Sequence, residues 1–123
     1  MAKIGIRKGF VDRGDPLGWD FATGSFTTDD TWRDLDLSSI VPKNAKAVLL
    51  RILLRDDVIG STIQLRKKGN SNDTNVVWFA EPYTDTYFST DAICPISDNQ
   101  KLQYKATNTT FTDLFLSIKG WWI

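Results

Sequence analysis

Glu81 is the only glutamate among fifteen acidic residues, and with any of several aspartates it is the closest the chain comes to an acid–base pair. A glycosidase needs two carboxyl groups flanking the scissile bond at a set separation. Most of the fourteen aspartates, however, stand in turn-like stretches such as Thr28-Asp29-Asp30, Asp56-Asp57 and Ser97-Asp98-Asn99. There an Asp side chain bonds its own backbone, which accounts for it without catalysis. The chain has no histidine, so Ser-His-Asp and Cys-His nucleophiles are excluded. Cys94 is the single cysteine and sits in the apolar run Ile93-Cys94-Pro95-Ile96. It reads as a buried thiol with no base to activate it, and alone it builds neither a disulfide nor a zinc site. Neither a phosphate-cradling glycine loop nor a dinucleotide fingerprint is present. The paired donors Asp29-Asp30, Asp56-Asp57 and Asp98-Asn99 could serve a hard cation, but none has EF-hand spacing, and they read as solvated turn residues. The sequence therefore leads to the expectation of no catalytic residue, no metal and no cofactor.

Binding is the better-supplied chemistry. Five tryptophans, Trp19, Trp32, Trp78, Trp121 and Trp122, are many for 123 residues. Indoles dominate protein interfaces and also stack on sugar rings. Trp121 and Trp122 are adjacent in an extended segment, so they point to opposite faces and cannot both enter one side of a core. Trp19, Trp78, Trp121 and Trp122 are accordingly expected at an interface between subunits. Trp19, Trp78 or Trp121 could instead form glycan-stacking platforms. The tripeptide Arg13-Gly14-Asp15 reads as coincidence, because Pro16 restricts Asp15. Asn72-Asp73-Thr74 and Asn108-Thr109-Thr110 fit a glycosylation pattern that matters only on a secretory route.

Charge narrows the partners. Fifteen basic residues balance fifteen acidic ones, interspersed along the chain, so no field draws it to nucleic acid or to an anionic membrane. The N-terminus lacks the apolar stretch of a signal peptide, and no segment approaches a membrane span.

The elements that must position these residues are strands. Asp replaces Glu, Thr is abundant, Ala is sparse, and aromatics reach 12%, a composition suited to strands and turns. Short alternating runs separated by Gly, Pro, Asn and Asp recur over residues 3–7, 19–27, 32–37, 46–55, 62–68, 75–80, 84–92, 93–96, 101–107 and 111–122. Residues 9–18 read as a loop. In 46–55, Val48, Leu50, Ile52 and Leu54 share one face, and Leu49, Arg51, Leu53 and Arg55 share the other. A helix is the competing reading there, but the arginines recur at period two. The expected fold is an all-β, antiparallel, jelly-roll-like sandwich of eight or nine strands. It fills residues 1–123 as one domain, with 1–18 as an N-terminal arm or an edge strand and loop.

Several of these segments resemble a recurring module of phage and prophage virion structural proteins. They are Thr31-Trp32-Arg33-Asp34-Leu35-Asp36-Leu37-Ser38-Ser39-Ile40-Val41-Pro42, Ala45-Lys46-Ala47-Val48-Leu49-Leu50-Arg51, Leu65-Arg66-Lys67-Lys68-Gly69-Asn70, Lys101-Leu102-Gln103-Tyr104-Lys105-Ala106 and Ile118-Lys119-Gly120-Trp121-Trp122. The resemblance implies a small β-sandwich on a tail fibre or decorating a head, often trimeric. It also implies a location in the virion after synthesis in the host cytoplasm, and contacts with copies of itself and with other virion proteins. It supplies no catalytic residues. The leading expectation is thus a self-associating, non-enzymatic virion protein, a decoration or small fibre protein. A glycan-binding receptor module comes second, and a carboxylate glycosidase using Glu81 third.

Overall fold

The computed structural model describes residues 9–107 and 109–123; the edge strand expected at 3–7 and Asn108 of the Asn108-Thr109-Thr110 triplet fall outside that description. The strands are β1 (Phe10–Asp12), β2 (Arg33–Asp36), β3 (Ala47–Arg55), β4 (Thr62–Lys67), β5 (Val77–Ala80), β6 (Phe88–Pro95), β7 (Lys101–Ala106) and β8 (Asp113–Trp122). Two 3₁₀ turns, Thr23–Ser25 and Asp73–Asn75, are the only helical segments among the described residues. Among the described residues, no helix is long and apolar enough to cross a membrane.

These strands form two four-stranded sheets, ordered β1-β8-β3-β6 and β2-β7-β4-β5. The pairings nest: β1 with β8, β2 with β7, β3 with β6 and β4 with β5, all antiparallel. A long hairpin rolled up in this way is a jelly roll, so the expected all-β sandwich is present, with eight strands among the described residues. The chain crosses between the sheets at every connection except β4 to β5.

The reason lies in the period-two pattern. On β3, Val48, Leu50, Ile52 and Leu54 are completely buried, and they pair across the ladder with Trp121, Ile118, Leu116 and Leu114 of β8. Ile63 and Leu65 of β4, with Leu102, Tyr104 and Ala106 of β7, close the same core from the opposite sheet. Cys94 joins it, and burial pushes its thiol up to about 12, which leaves it protonated and inert.

A register shift between Leu49 and Leu50 places one extra residue, Lys119, in β8. Such a bulge inverts the alternation beyond it. Unbroken alternation from Leu114 would turn Trp122 inward. The bulge instead sets Trp121 opposite the inward Val48 and Trp122 opposite the outward Ala47. Trp121 packs against the core, and the Trp122 ring lies 4.9 Å from that of Phe10.

Three boundaries differ from the sequence expectation. Residues 19–27 form no strand; only Phe21 bridges β8, at Leu116. Side chains take over the pairing on either side of that bridge. Asp20 Oδ2 accepts the Ile118 N–H at 2.8 Å, and Thr23 Oγ1 accepts the Leu114 N–H at 3.0 Å. With these amides already satisfied, a backbone ladder has no further donors to claim. Phe10–Asp12, expected in a loop, is instead an edge strand held by the same margin of β8. The runs 84–92 and 93–96, expected apart, make one strand, β6 (Phe88–Pro95), preceded by a bend in which Asp85 has φ +55° and its N–H bonds the Asp56 carbonyl.

Gly120 sits where the Phe10 ring crosses β8. A Cβ there would meet Phe10 Cζ at 2.2 Å and the Val11 carbonyl oxygen at 2.5 Å. Gly120→Ala is expected to cost about 1–3 kcal/mol, the usual penalty for overpacking, read as a lowered urea midpoint at unchanged slope.

Candidate interaction faces

The outer face of the β1-β8-β3-β6 sheet follows from the register. Rows across it are Phe10, Trp122, Ala47 and Pro95; then Gly120, Leu49 and Ile93; then Ser117, Arg51 and Asp91; then Phe115, Leu53 and Ser89. The first two rows make a continuous apolar band, with Phe10 45% and Ile93 55% exposed. Beyond the band runs an ionic strip. Lys119 Nζ lies 2.7 Å from Asp91 Oδ2, and Arg51 Nε donates to Ser89 Oγ at 2.9 Å. A second aromatic corner follows, where Trp19 stacks on Phe115 at 5.5 Å with the Arg51 guanidinium 5.2 Å from the indole centroid.

The outer face of the β2-β7-β4-β5 sheet has the opposite character. Asp34 accepts from Lys68 Nζ and from Gln103 Nε2, and Arg66 donates to Gln103 Oε1 at 2.9 Å. The Arg66 guanidinium also lies 4.0 Å from the Trp32 ring. These hydrogen bonds, Lys68 first and Gln103 second, hold the Asp34 carboxyl below the usual carboxylate range. Asp36 is lowered in the same direction by the Ser38 N–H. Toward the β5 edge, Gln64 pairs with both Lys105 and Trp78, and Trp78 is 67% exposed.

Trp19 and Trp122 therefore share one outer face, at opposite ends of it. Trp78 stands on the other sheet, and Trp121 points into the sandwich. Sequence reasoning missed Phe10, Leu49 and Ile93. A signal existed for Leu49: a central strand that is apolar on both faces implies that both are to be covered. The strand ends differ too. β1, β2 and β5, three of the four edges, have three or four residues, whereas the fourth, β6, has eight. A long unprotected edge invites pairing with another chain.

The other singled-out residues are accounted for internally. Arg13 donates to Asp20 Oδ1 at 2.8 Å and to the Ile118 carbonyl at 3.0 Å, so it is not displayed as part of a recognition tripeptide. Asp29 is paired with Arg33, whose hydrogen bond lowers the Asp29 carboxyl. Glu81 is 1% exposed and accepts the Asp56 N–H at 2.7 Å. A glycosidase acid must touch a sugar oxygen, and this placement removes Glu81 from the glycosidase expectation.

No protein-family model matches the chain, and no curated protein sequence does. Among solved structures, it is similar to the coat protein of Tobacco streak virus, with 14% identity over 99% of this chain and 88% of that one, at a TM-score of 0.38.

Because Asp34 is depressed in the folded state, its pairing stabilises the fold above the titration range of a free aspartate. That contribution is lost as pH falls through the folded value. In a carboxyl NMR titration, Asp34 of the wild type should titrate below ordinary aspartates, and Lys68→Met should move its midpoint upward.

Proposed function

We propose that this chain is a non-enzymatic structural protein of a virion, of the phage type that its sequence segments resemble. In this reading it packs against copies of itself through the outer face of the β1-β8-β3-β6 sheet. The observation that carries it is the apolar band of Phe10, Trp122, Leu49, Pro95 and Ile93 on that face. A contiguous apolar surface of this kind marks an interaction site far more often than isolated exposed side chains do.

Three features favour a second copy as the occupant. The formal net charge is zero, so approaching copies feel no mutual repulsion. The band borders a strip that holds Asp91 between Lys119 and Arg51, and a rotated copy can exchange the Lys119–Asp91 ion pair with its own. The long edge of β6 lies beside the band and can accept a neighbouring strand. The jelly roll suits such use, since viral capsid domains share the architecture with lectins and cupins. A trimer is the favoured order, and head decoration or a small tail fibre the favoured place.

Ile93 is the point of leverage. Burying its side chain at a contact contributes about 1.5–3 kcal/mol, and its exposure in the single chain means that a polar substitute leaves the fold intact. Sedimentation velocity is expected to show an oligomer for the wild type and a monomer for Ile93→Asp, whose circular dichroism spectrum stays that of the folded sandwich although its melt loses the contribution of assembly. A wild type that stays monomeric, or an Ile93→Asp variant that assembles normally, would overturn the reading.

The exposed Trp78 favours a second reading, glycan binding, on the opposite sheet. Trp78, Gln64 and Lys105 lie in one row, and Lys105 Nζ is 5.9 Å from the Trp32 ring. The row offers indole faces and hydrogen-bonding groups together, the combination that sugars require. Sugar-dependent quenching of tryptophan fluorescence that disappears in Trp78→Ala would support it; a silent glycan array would end it.

A further inference from the structure

At one end of the sandwich two acids are sealed together. Asp56 directly follows β3, Glu81 directly follows β5, and Ser61 directly precedes β4. Asp56 and Glu81 are 0% and 1% exposed. The Ser61 hydroxyl donates to Asp56 Oδ2, and the Asp56 N–H donates to Glu81 Oε2 at 2.7 Å. Backbone bonds close the same loops around them. The Glu81 N–H reaches the Ser61 carbonyl at 2.8 Å, the Gly60 N–H the Glu81 carbonyl at 3.1 Å, and the Asp85 N–H the Asp56 carbonyl at 2.8 Å.

One oxygen of each acid is left over. Asp56 Oδ1 and Glu81 Oε1 are buried without any hydrogen-bond partner. None of the side-chain ion pairs among the described residues includes either acid. Carboxylates withdrawn from water need a positive partner, because their desolvation is otherwise uncompensated, and no basic side chain supplies it here.

We propose that Asp56 and Glu81 bind one hard divalent cation, of which calcium is the fitting example, and that the ion ties the β3–β4 loop to the end of β5. The donor set is all oxygen, which hard cations prefer and zinc or copper do not. No third Asp, Glu, His or Cys joins the pair among the described residues. The rest of the coordination shell comes from loop carbonyls, such as those of Asp56, Val58, Ser61 and Glu81. Each of these accepts one N–H and retains a second lone pair. The paired aspartates of the sequence thus divide their roles: Asp56 turns inward and supplies a ligand, while Asp57 stays in solvent. The site is separate from the self-association face and stands without it.

The competing account is a buried pair of acids that holds no ion, and the experiment separates the two. The full chain, stripped with chelator, is melted with and without calcium chloride, with magnesium chloride as the comparison. Calorimetric titration is run alongside. Calcium is expected to raise the melting temperature on the order of 10 °C at a hundredfold excess over its Kd, with one ion bound per chain. Glu81→Gln and Asp56→Asn should each abolish that response. If calcium neither binds nor shifts the wild-type melt, the proposal is overturned. It is equally overturned if both variants fold and still respond to calcium as the wild type does. Should Glu81→Gln fail to fold, Asp56→Asn and the wild-type titration carry the same decision.

Discussion

The ladder between β3 and β8 is the constraint from which the rest of the molecule follows. It brings Val48, Leu50, Ile52 and Leu54 beside Trp121, Ile118, Leu116 and Leu114, and that shared apolar surface is the centre of the core. Side chains in a strand have period two, so choosing the inward set also chooses the outward one. The outer face is therefore a by-product of core packing, row by row. The single bulge at Lys119 adjusts this arrangement near the chain's end. It sends Trp121 inward and leaves Trp122 outside, beside the Phe10 ring that crosses Gly120.

The nested strand pairing has a second consequence. Since β1 pairs β8 and β2 pairs β7, most ladders join distant parts of the chain, and folding must close long loops before those contacts stabilise anything. The margins reflect the same economy. Where β1 ends, Asp20 and Thr23 continue the pairing with side-chain oxygens, so the amides of β8 stay satisfied without a full neighbouring strand. Arg13 braces this arrangement from Asp20 to the Ile118 carbonyl. A polar network of this sort specifies one register as well as adding stability.

The two outer faces divide the surface by chemistry. On the β2-β7-β4-β5 sheet, polar side chains bond one another within the chain, Lys68 to Asp34 and Arg66 to Gln103. Surface pairs of this kind contribute little to stability, but they leave the face content in water. On the other sheet, Phe10, Leu49, Pro95 and Ile93 have no such partners, and covering them removes apolar area from water.

By itself the sequence determined the fold class, because alternation, turn residues and the shortage of helix formers all act within a few residues. It also excluded histidine-based chemistry and any disulfide within the chain, which has no histidine and one cysteine. Whether a turn aspartate stays in solvent or is sealed against Glu81 was decided by the tertiary structure, because burial depends on which loops converge. The tertiary structure also decided which of the two C-terminal indoles faces the core. A one-residue bulge leaves no periodic trace in the sequence, yet it reverses every side chain beyond it. The band around Ile93 is assembled from β1, β8, β3 and β6. Segments so far apart in the chain become one surface only when the sheet that joins them has formed.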